Sequence, residues 1–467
     1  MLFSSIPFLF YFLPCVLILY LIAPKCLKNT VLLLSSLVFY AWGEPRYVIW
    51  MLLAITLGYI FGLLIERFKE KKRISKLFMI LSVASSLAML GYFKYVDFFI
   101  GNFNAITGLS VPLLKIALPI GISFYTFQIL SYTVDVYRGD VAAQKNPIDL
   151  AAYVALFPQL IAGPIVRYSD VAEQLKSRTH SFEKTALGAR RFMIGLGKKI
   201  LIANILGELC DTFRASDDKS VLFFWLYAVA YSLHIYFDFS GYSDMAIGLG
   251  KIFGFDFLEN FNYPYISASI TEFWRRWHMS LGSWFRDYVY IPLGGNRVSR
   301  LRHLFNIFVV WMLTGFWHGA AWNFIVWGLF FAVLLMVEKL WLLKYLKKSR
   351  VLSHIYVVIL IIISFVIFDA SSIGQAFSYI GSMFGAGGYP LVSTEFLYYF
   401  RSYGVVLILG IIGATPLPKK LWNRIAATNI GSNIMTFAEP IALSALLLCC
   451  SAYLVDGSYN PFLYFRF

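Results

Sequence analysis

Tyr47–Ile65 reads YVIWMLLAITLGYIFGLLI, 19 residues without a charge. A helix needs about 20 mostly apolar residues to cross the hydrocarbon of a bilayer, so this run reads as a membrane span. Arg67-Phe68-Lys69-Glu70-Lys71-Lys72-Arg73 follows at once, and dense basic loops stay on the cytoplasmic side. Similar apolar runs recur at Leu2–Ala23, Val31–Trp42, Leu77–Tyr95, Phe192–Leu206, Val221–Phe239, Leu304–Phe316, Trp322–Leu342, Ile355–Phe368, Val405–Ile412 and Ile434–Leu454. The chain is 59% hydrophobic and 14% charged, whereas soluble domains are about a quarter charged. It reads as one all-α polytopic membrane domain over residues 1–467, with room for roughly ten spans and a plasma-membrane location.

The formal net charge of +15 would suggest a nucleic-acid partner in a soluble protein. Here the basic residues cluster between apolar runs, which points instead to the positive-inside rule and to anionic membrane lipid. No nucleic acid is expected. Weighting the densest basic loops places the N-terminus outside, and with it an extracytoplasmic tail over residues 455–467. The apolar start from Leu2 lacks the basic flank and small-residue cleavage site of a signal peptide and reads as a retained first span. Cys15, Cys26, Cys210, Cys449 and Cys450 show neither metal spacing nor a disulfide framework.

The middle of the chain does not fit a plain count of spans. Ala151–Ile165 contains Phe157-Pro158 and Ala162-Gly163-Pro164, which break helices. Tyr242–Ile291 is too polar to span yet crowded with aromatics. Broken backbone at membrane depth is tolerated only where protein buries it or where it lines a cavity. Re-entrant elements around a central cavity are therefore expected, the alternative being loops that lie flat on the membrane.

Two stretches carry candidate chemistry. In Phe273-Trp274-Arg275-Arg276-Trp277-His278-Met279-Ser280-Leu281, helical spacing would put Trp274, Trp277, His278 and Leu281 on one face. Trp274, Arg275, Arg276 and, further on, Arg286 would form a basic mouth for an anionic donor, since the guanidinium fork suits phosphate. An interfacial helix with aromatic and arginine anchors explains the same pattern. In Thr314-Gly315-Phe316-Trp317-His318-Gly319-Ala320-Ala321-Trp322 a histidine sits between two apolar runs. The run before it would be about 20 Å long at helical rise, so a break at Gly315 and Gly319 would leave His318 inside the membrane zone. An ionisable group there is costly and by default functional, and histidine can serve as a general base; a packed core histidine is the alternative. His278 and His318 have no further ligand-type residues at metal spacing, so no metal is expected.

These residues together resemble the membrane-bound O-acyltransferase family, most closely its bacterial alginate O-acetyltransferase branch. Phe273–Tyr290, Ile291-Pro292-Leu293-Gly294-Gly295-Asn296-Arg297, Trp317-His318-Gly319-Ala320, Asp238-Phe239-Ser240-Gly241-Tyr242-Ser243-Asp244 and Ala162-Gly163-Pro164-Ile165 carry the likeness, which covers most of the chain. The resemblance implies about a dozen transmembrane and re-entrant helices around a central funnel. It implies transfer of an acyl group, acetyl in this branch, from a cytoplasmic thioester donor such as acetyl-CoA to an extracytoplasmic polysaccharide hydroxyl. His318 would be the catalytic residue. His278, the second polar residue of the tunnel, would orient the donor or stabilise the oxyanion. A separate extracytoplasmic acyltransferase or polysaccharide assembly protein would be the partner.

The chain ends Phe462-Leu463-Tyr464-Phe465-Arg466-Phe467. This resembles the aromatic C-terminal motif of the small companion peptide of teichoic acid D-alanylation, and the resemblance makes Tyr464 an acyl relay. An aromatic interface anchor is the plainer reading. A polysaccharide or lipid transporter with a mid-membrane polar site is the competing functional class, since broken helices suit transporters too.

Overall fold

The computed structural model describes residues 1–456, and among them the secondary structure is helical, with no strand. Among the described residues eight helices are long and apolar enough to cross a membrane, and Phe8–Ile22 is a shorter apolar one. The chain is an all-α, multi-pass membrane protein. Tyr464 lies outside the described residues. Contacts divide the described residues into two compact units: Met1–Phe192 with Met245–Leu258, and Met193–Asp244 with residues 259–456.

In the first unit, helix Val48–Arg67 packs on Lys72–Leu90 and on Ile122–Arg138. Small residues permit the approach, as is usual between membrane helices: a Cβ on Gly58 would lie 2.9 Å from the Ile129 side chain, and one on Gly62 would lie 2.6 Å from the Tyr132 hydroxyl. Ile122–Arg138 is absent from the apolar runs because Ser123, Tyr125, Thr126, Gln128, Ser131 and Thr133 interrupt it, yet all six are buried. The segment with the helix breakers forms two short helices, Pro147–Ala155 and Phe157–Leu160. Its broken backbone is buried and partnered by side chains: Phe157 N–H donates to Ser36 Oγ at 3.0 Å, and Tyr153 hydroxyl donates to the Val166 carbonyl at 3.0 Å. This meets the requirement that irregular backbone be enclosed by protein.

In the second unit two expectations are corrected. Helix Val221–Ile252 does not stop at Phe239 but runs through the polar Ser240–Asp244 stretch. The helix survives because its charges are partnered: Lys199 Nζ lies 2.5 Å from Asp238 and Lys198 Nζ lies 2.6 Å from Asp244. Gly241 admits the opposing backbone, since a Cβ there would sit 2.8 Å from the Gly195 carbonyl. Likewise, helix Arg300–His318 is not broken at Gly315; it ends only at His318, where Gly319 is extended. At 19 residues it is about 28 Å long, longer than its apolar run, because Arg300–His303 join its first turn.

Gly315 is where that helix crosses Trp322–Val337. A Cβ on Gly315 would lie 2.3 Å from the Phe324 carbonyl oxygen, and one on Gly328 would lie 2.3 Å from the Trp311 carbonyl oxygen. Gly319 is needed for the same reason, as a Cβ there would reach the Phe324 ring at 2.2 Å. These glycines admit neighbouring protein groups. The hairpin buries Trp317, Phe324, Trp327 and Phe331, and Phe365 and Phe368 of helix Arg350–Asp369 belong to the same core.

Two outcomes follow for thermal unfolding in detergent. Gly315→Ala forces the two backbones apart and should cost about 1–3 kcal/mol or more, as overpacking does, whereas Gly404→Ala, with nothing within 4 Å of its Cβ, should be silent. Lys199 and Asp238 are each 1% exposed, so Lys199→Met alone should cost about 3–5 kcal/mol, while Lys199→Met with Asp238→Leu should recover most of it. Equal melting of single and double variants would show that the pair does not hold the helices.

Candidate active site

His318 and His278 both fall in the second unit, and the fold places them by different means. His318 is the last residue of its helix and 7% exposed. Three aromatic rings surround it. Trp327 meets it edge-on at 5.1 Å between centroids, Phe368 at 5.3 Å, and Trp317 at 5.0 Å. The crossing at Gly315 and Gly328 puts Trp327 there, because any larger residue would separate the two helices.

His278 does not sit on a continuous helix, and the expectation of one face for Trp274, Trp277, His278 and Leu281 is corrected. Helix Ile270–Trp274 ends, the chain turns, and a second short helix begins at Met279. His278 occupies the turn with φ +43°, a left-handed conformation that costs about 1–2 kcal/mol for an L-residue. Such strain persists only where the surroundings enforce it. Here residues 260–262 do so. Asn262 N–H donates to the Arg276 carbonyl at 2.9 Å, and Met279 N–H donates to the Asn260 carbonyl at 3.0 Å. Trp277 is buried in the core beneath the turn.

The His278 ring is 2% exposed, with Phe239 edge-on at 4.7 Å and Trp317 at 6.1 Å. Its Nδ1 lies 3.1 Å from Asn260 Oδ1. Its Nε2 has no hydrogen-bond partner among the described residues. Burial, and after it the neighbouring His318, push the His278 imidazole well below its ordinary range. His278 is therefore neutral near pH 7, and the two imidazoles feel each other.

Trp274 joins the same cluster, against Trp311 at 4.6 Å, Phe331 at 4.8 Å and Trp327 at 5.6 Å. The indole Nε1 atoms of Trp274 and Trp327 are buried with no acceptor among the described residues. With His278 Nε2 they are three buried hydrogen-bonding atoms without a partner among the described residues. The arginines divide differently. Arg276 donates to Glu272 at 2.9 Å and to the Asn262 carbonyl at 3.1 Å. Arg286 holds Asp287 with both nitrogens, at 2.7 and 3.1 Å. Arg275 is exposed.

Two positioning groups escaped the sequence reading. Glu338 is buried and accepts from Ile270 N–H at 2.6 Å, Thr271 N–H at 2.9 Å and the Thr271 hydroxyl at 2.7 Å. It thereby fixes the start of the helix that carries Trp274. Its signal was present: a carboxylate within the apolar run Trp322–Leu342 needs a reason to be there. Asn260 had no such signal. His234 is buried with Nδ1 at 2.6 Å from the Ala203 carbonyl, while His354 is half-buried on a helix.

The chain was compared with known proteins. The model of the membrane-bound O-acyltransferase (MBOAT) family matches residues 84–382. A protein named "Probable alginate O-acetylase AlgI" from Azotobacter vinelandii is 40% identical over the whole of both chains. Its namesake in Pseudomonas aeruginosa is 46% identical, covering 84% of this chain and 76% of its own. The "Peptidoglycan O-acetyltransferase" of Helicobacter pylori is 33% identical over 100% of this chain and 98% of its own. Between acyl transfer and transport, these relatives decide for acyl transfer. With a family match over more than half its length and a full-length relative at 40% identity, the chain belongs to the membrane-bound O-acyltransferase family and is a multi-pass membrane O-acyltransferase.

Proposed function

We propose that this enzyme moves an acyl group, acetyl by the names of its relatives, from a cytoplasmic thioester such as acetyl-CoA to a hydroxyl of an extracytoplasmic polysaccharide. The observation that carries the reading is the pair of buried imidazoles, one at a helix end in an aromatic cage and one with a ring nitrogen that no described residue engages. The relatives named for alginate and for peptidoglycan support a carbohydrate polymer as acceptor.

The acceptor oxygen attacks the thioester carbonyl carbon as its proton passes to the His318 imidazole. A C–O bond forms, the C–S bond breaks, and the proton ends on the departing thiolate. General-base help of this kind is worth about 10²–10⁴-fold. The aromatic walls keep water away, which strengthens local electrostatics and limits hydrolysis of the thioester. Trp274 and exposed Arg275 are the groups of the proposed donor mouth best placed to meet the donor, since Arg276 and Arg286 already hold carboxylates. With Tyr464 as the proposed relay, its phenol oxygen is the first attacking oxygen and forms the ester as the C–S bond breaks; at a separate extracytoplasmic transferase a polysaccharide hydroxyl then takes the acyl group, the tyrosyl C–O bond breaks and the phenol regains its proton.

Ester-linked acetate on surface glycans, compared between cells making wild type and His318→Ala in equal amounts, should fall to background in the variant; unchanged acetate would sink the assignment. For the relay, mass spectrometry of the C-terminal peptide should detect acyl-tyrosine in wild type, and Tyr464→Phe should lose glycan acetylation. Turnover that persists in Tyr464→Phe, with no acyl-tyrosine in wild type, removes the relay.

A further inference from the structure

Asn260 Oδ1 is the hub of a small buried network. Ser280 N–H points at it from 3.3 Å, the Ser280 hydroxyl lies at 2.9 Å and His278 Nδ1 at 3.1 Å. A backbone N–H can only donate, so the amide atom facing all three groups is the oxygen and not the nitrogen. An oxygen acceptor requires hydrogen on His278 Nδ1. In a neutral imidazole the other nitrogen then carries a lone pair and no hydrogen, and that nitrogen is the buried Nε2 with no partner among the described residues.

We propose that Asn260 is a positioning residue that locks His278 in the Nδ1–H tautomer, so that Nε2 faces the substrates as a hydrogen-bond acceptor. Of the two roles open to His278 this excludes the oxyanion donor, because a neutral Nε2 has no hydrogen to give. It holds instead a substrate hydrogen: the hydroxyl of the acceptor, or the amide N–H that a pantetheine-type thioester carries close to its sulfur. A neutral amide orients the ring without charging it, where a carboxylate in its place would favour the imidazolium. The titratable neighbour acting on His278 is His318; Phe239, Trp317, Asn260 and Ser280 are not titratable in this range.

The inference rests on the acyl-transfer reading for its consequence but not for its first test. Solid-state ¹⁵N spectra of histidine-labelled wild-type protein, with His278 assigned by difference from His278→Gln, should show hydrogen on Nδ1 near neutral pH. Hydrogen on Nε2 overturns the proposal whether or not the protein acylates anything.

Kinetics in membrane vesicles from the producing cells, which retain any extracytoplasmic partner, with acetyl-CoA and an oligosaccharide acceptor supply the second test. Asn260→Ala, if it melts like wild type, should lose about 10–100-fold in kcat/KM, the range for losing a second-shell orienting partner, with KM raised for the one substrate whose hydrogen Nε2 holds. Asn260→Asp keeps the acceptor and should restore transfer at high pH. Its carboxylate stabilises the imidazolium, so the acid limb should move up by about one to three pH units, activity being lost earlier as pH falls. If Asn260→Ala retains full activity, or if Asn260→Asp rescues nothing and leaves the acid limb unmoved, Asn260 does not position His278. Absence of transfer in wild type would fault the acyl-transfer reading and leave the tautomer result standing.

Discussion

Gly315 and Gly328 let the helix that ends at His318 and the helix that begins at Trp322 meet backbone to backbone, and the candidate site is built outward from that contact. The crossing sets Trp327 against His318. The second helix then runs on to Glu338, whose buried carboxylate holds the first residues of Ile270–Trp274. That short helix delivers Trp274 to Trp327 and leads into the turn at His278. A close approach between two helices thus positions both imidazoles, one directly and one through an acidic side chain.

Several charged groups of the second unit follow one rule. In an apolar surrounding each must have a partner or a use. Lys199 has Asp238, Glu338 has two backbone N–H groups, and Arg276 and Arg286 have carboxylates. His278 Nε2 and the indole nitrogens of Trp274 and Trp327 have none among the described residues, and the Trp327 ring packs on His318. Arginine density in the sequence suggests a donor mouth, but pairing with Glu272 and Asp287 shows that two of those arginines also hold local structure.

Much of this was legible in the chain and some was not. Uninterrupted runs such as Tyr47–Ile65 announced their helices, because apolar length is itself the physical requirement for a span. Ile122–Arg138 was hidden, since a helix buried in protein can mix Ser, Thr, Gln and Tyr with its apolar residues. The Ser240–Asp244 stretch fell outside the apolar run ending at Phe239, and the partner of its Asp244, Lys198, comes 46 residues earlier. His318 stood out as an ionisable residue between apolar runs. The geometry of His278 depends on Asn260, 18 residues away along an irregular segment, and no periodicity reports that.

The central claim is that His278 and His318 act on one reacting centre. A double-mutant cycle on kcat/KM for acetyl transfer tests it most directly, because groups that work as a unit lose little more together than apart. The account predicts that His278→Ala with His318→Ala is about as slow as the slower single variant. Losses that multiply, with all three variants folded, would place the two histidines in separate roles and contradict it.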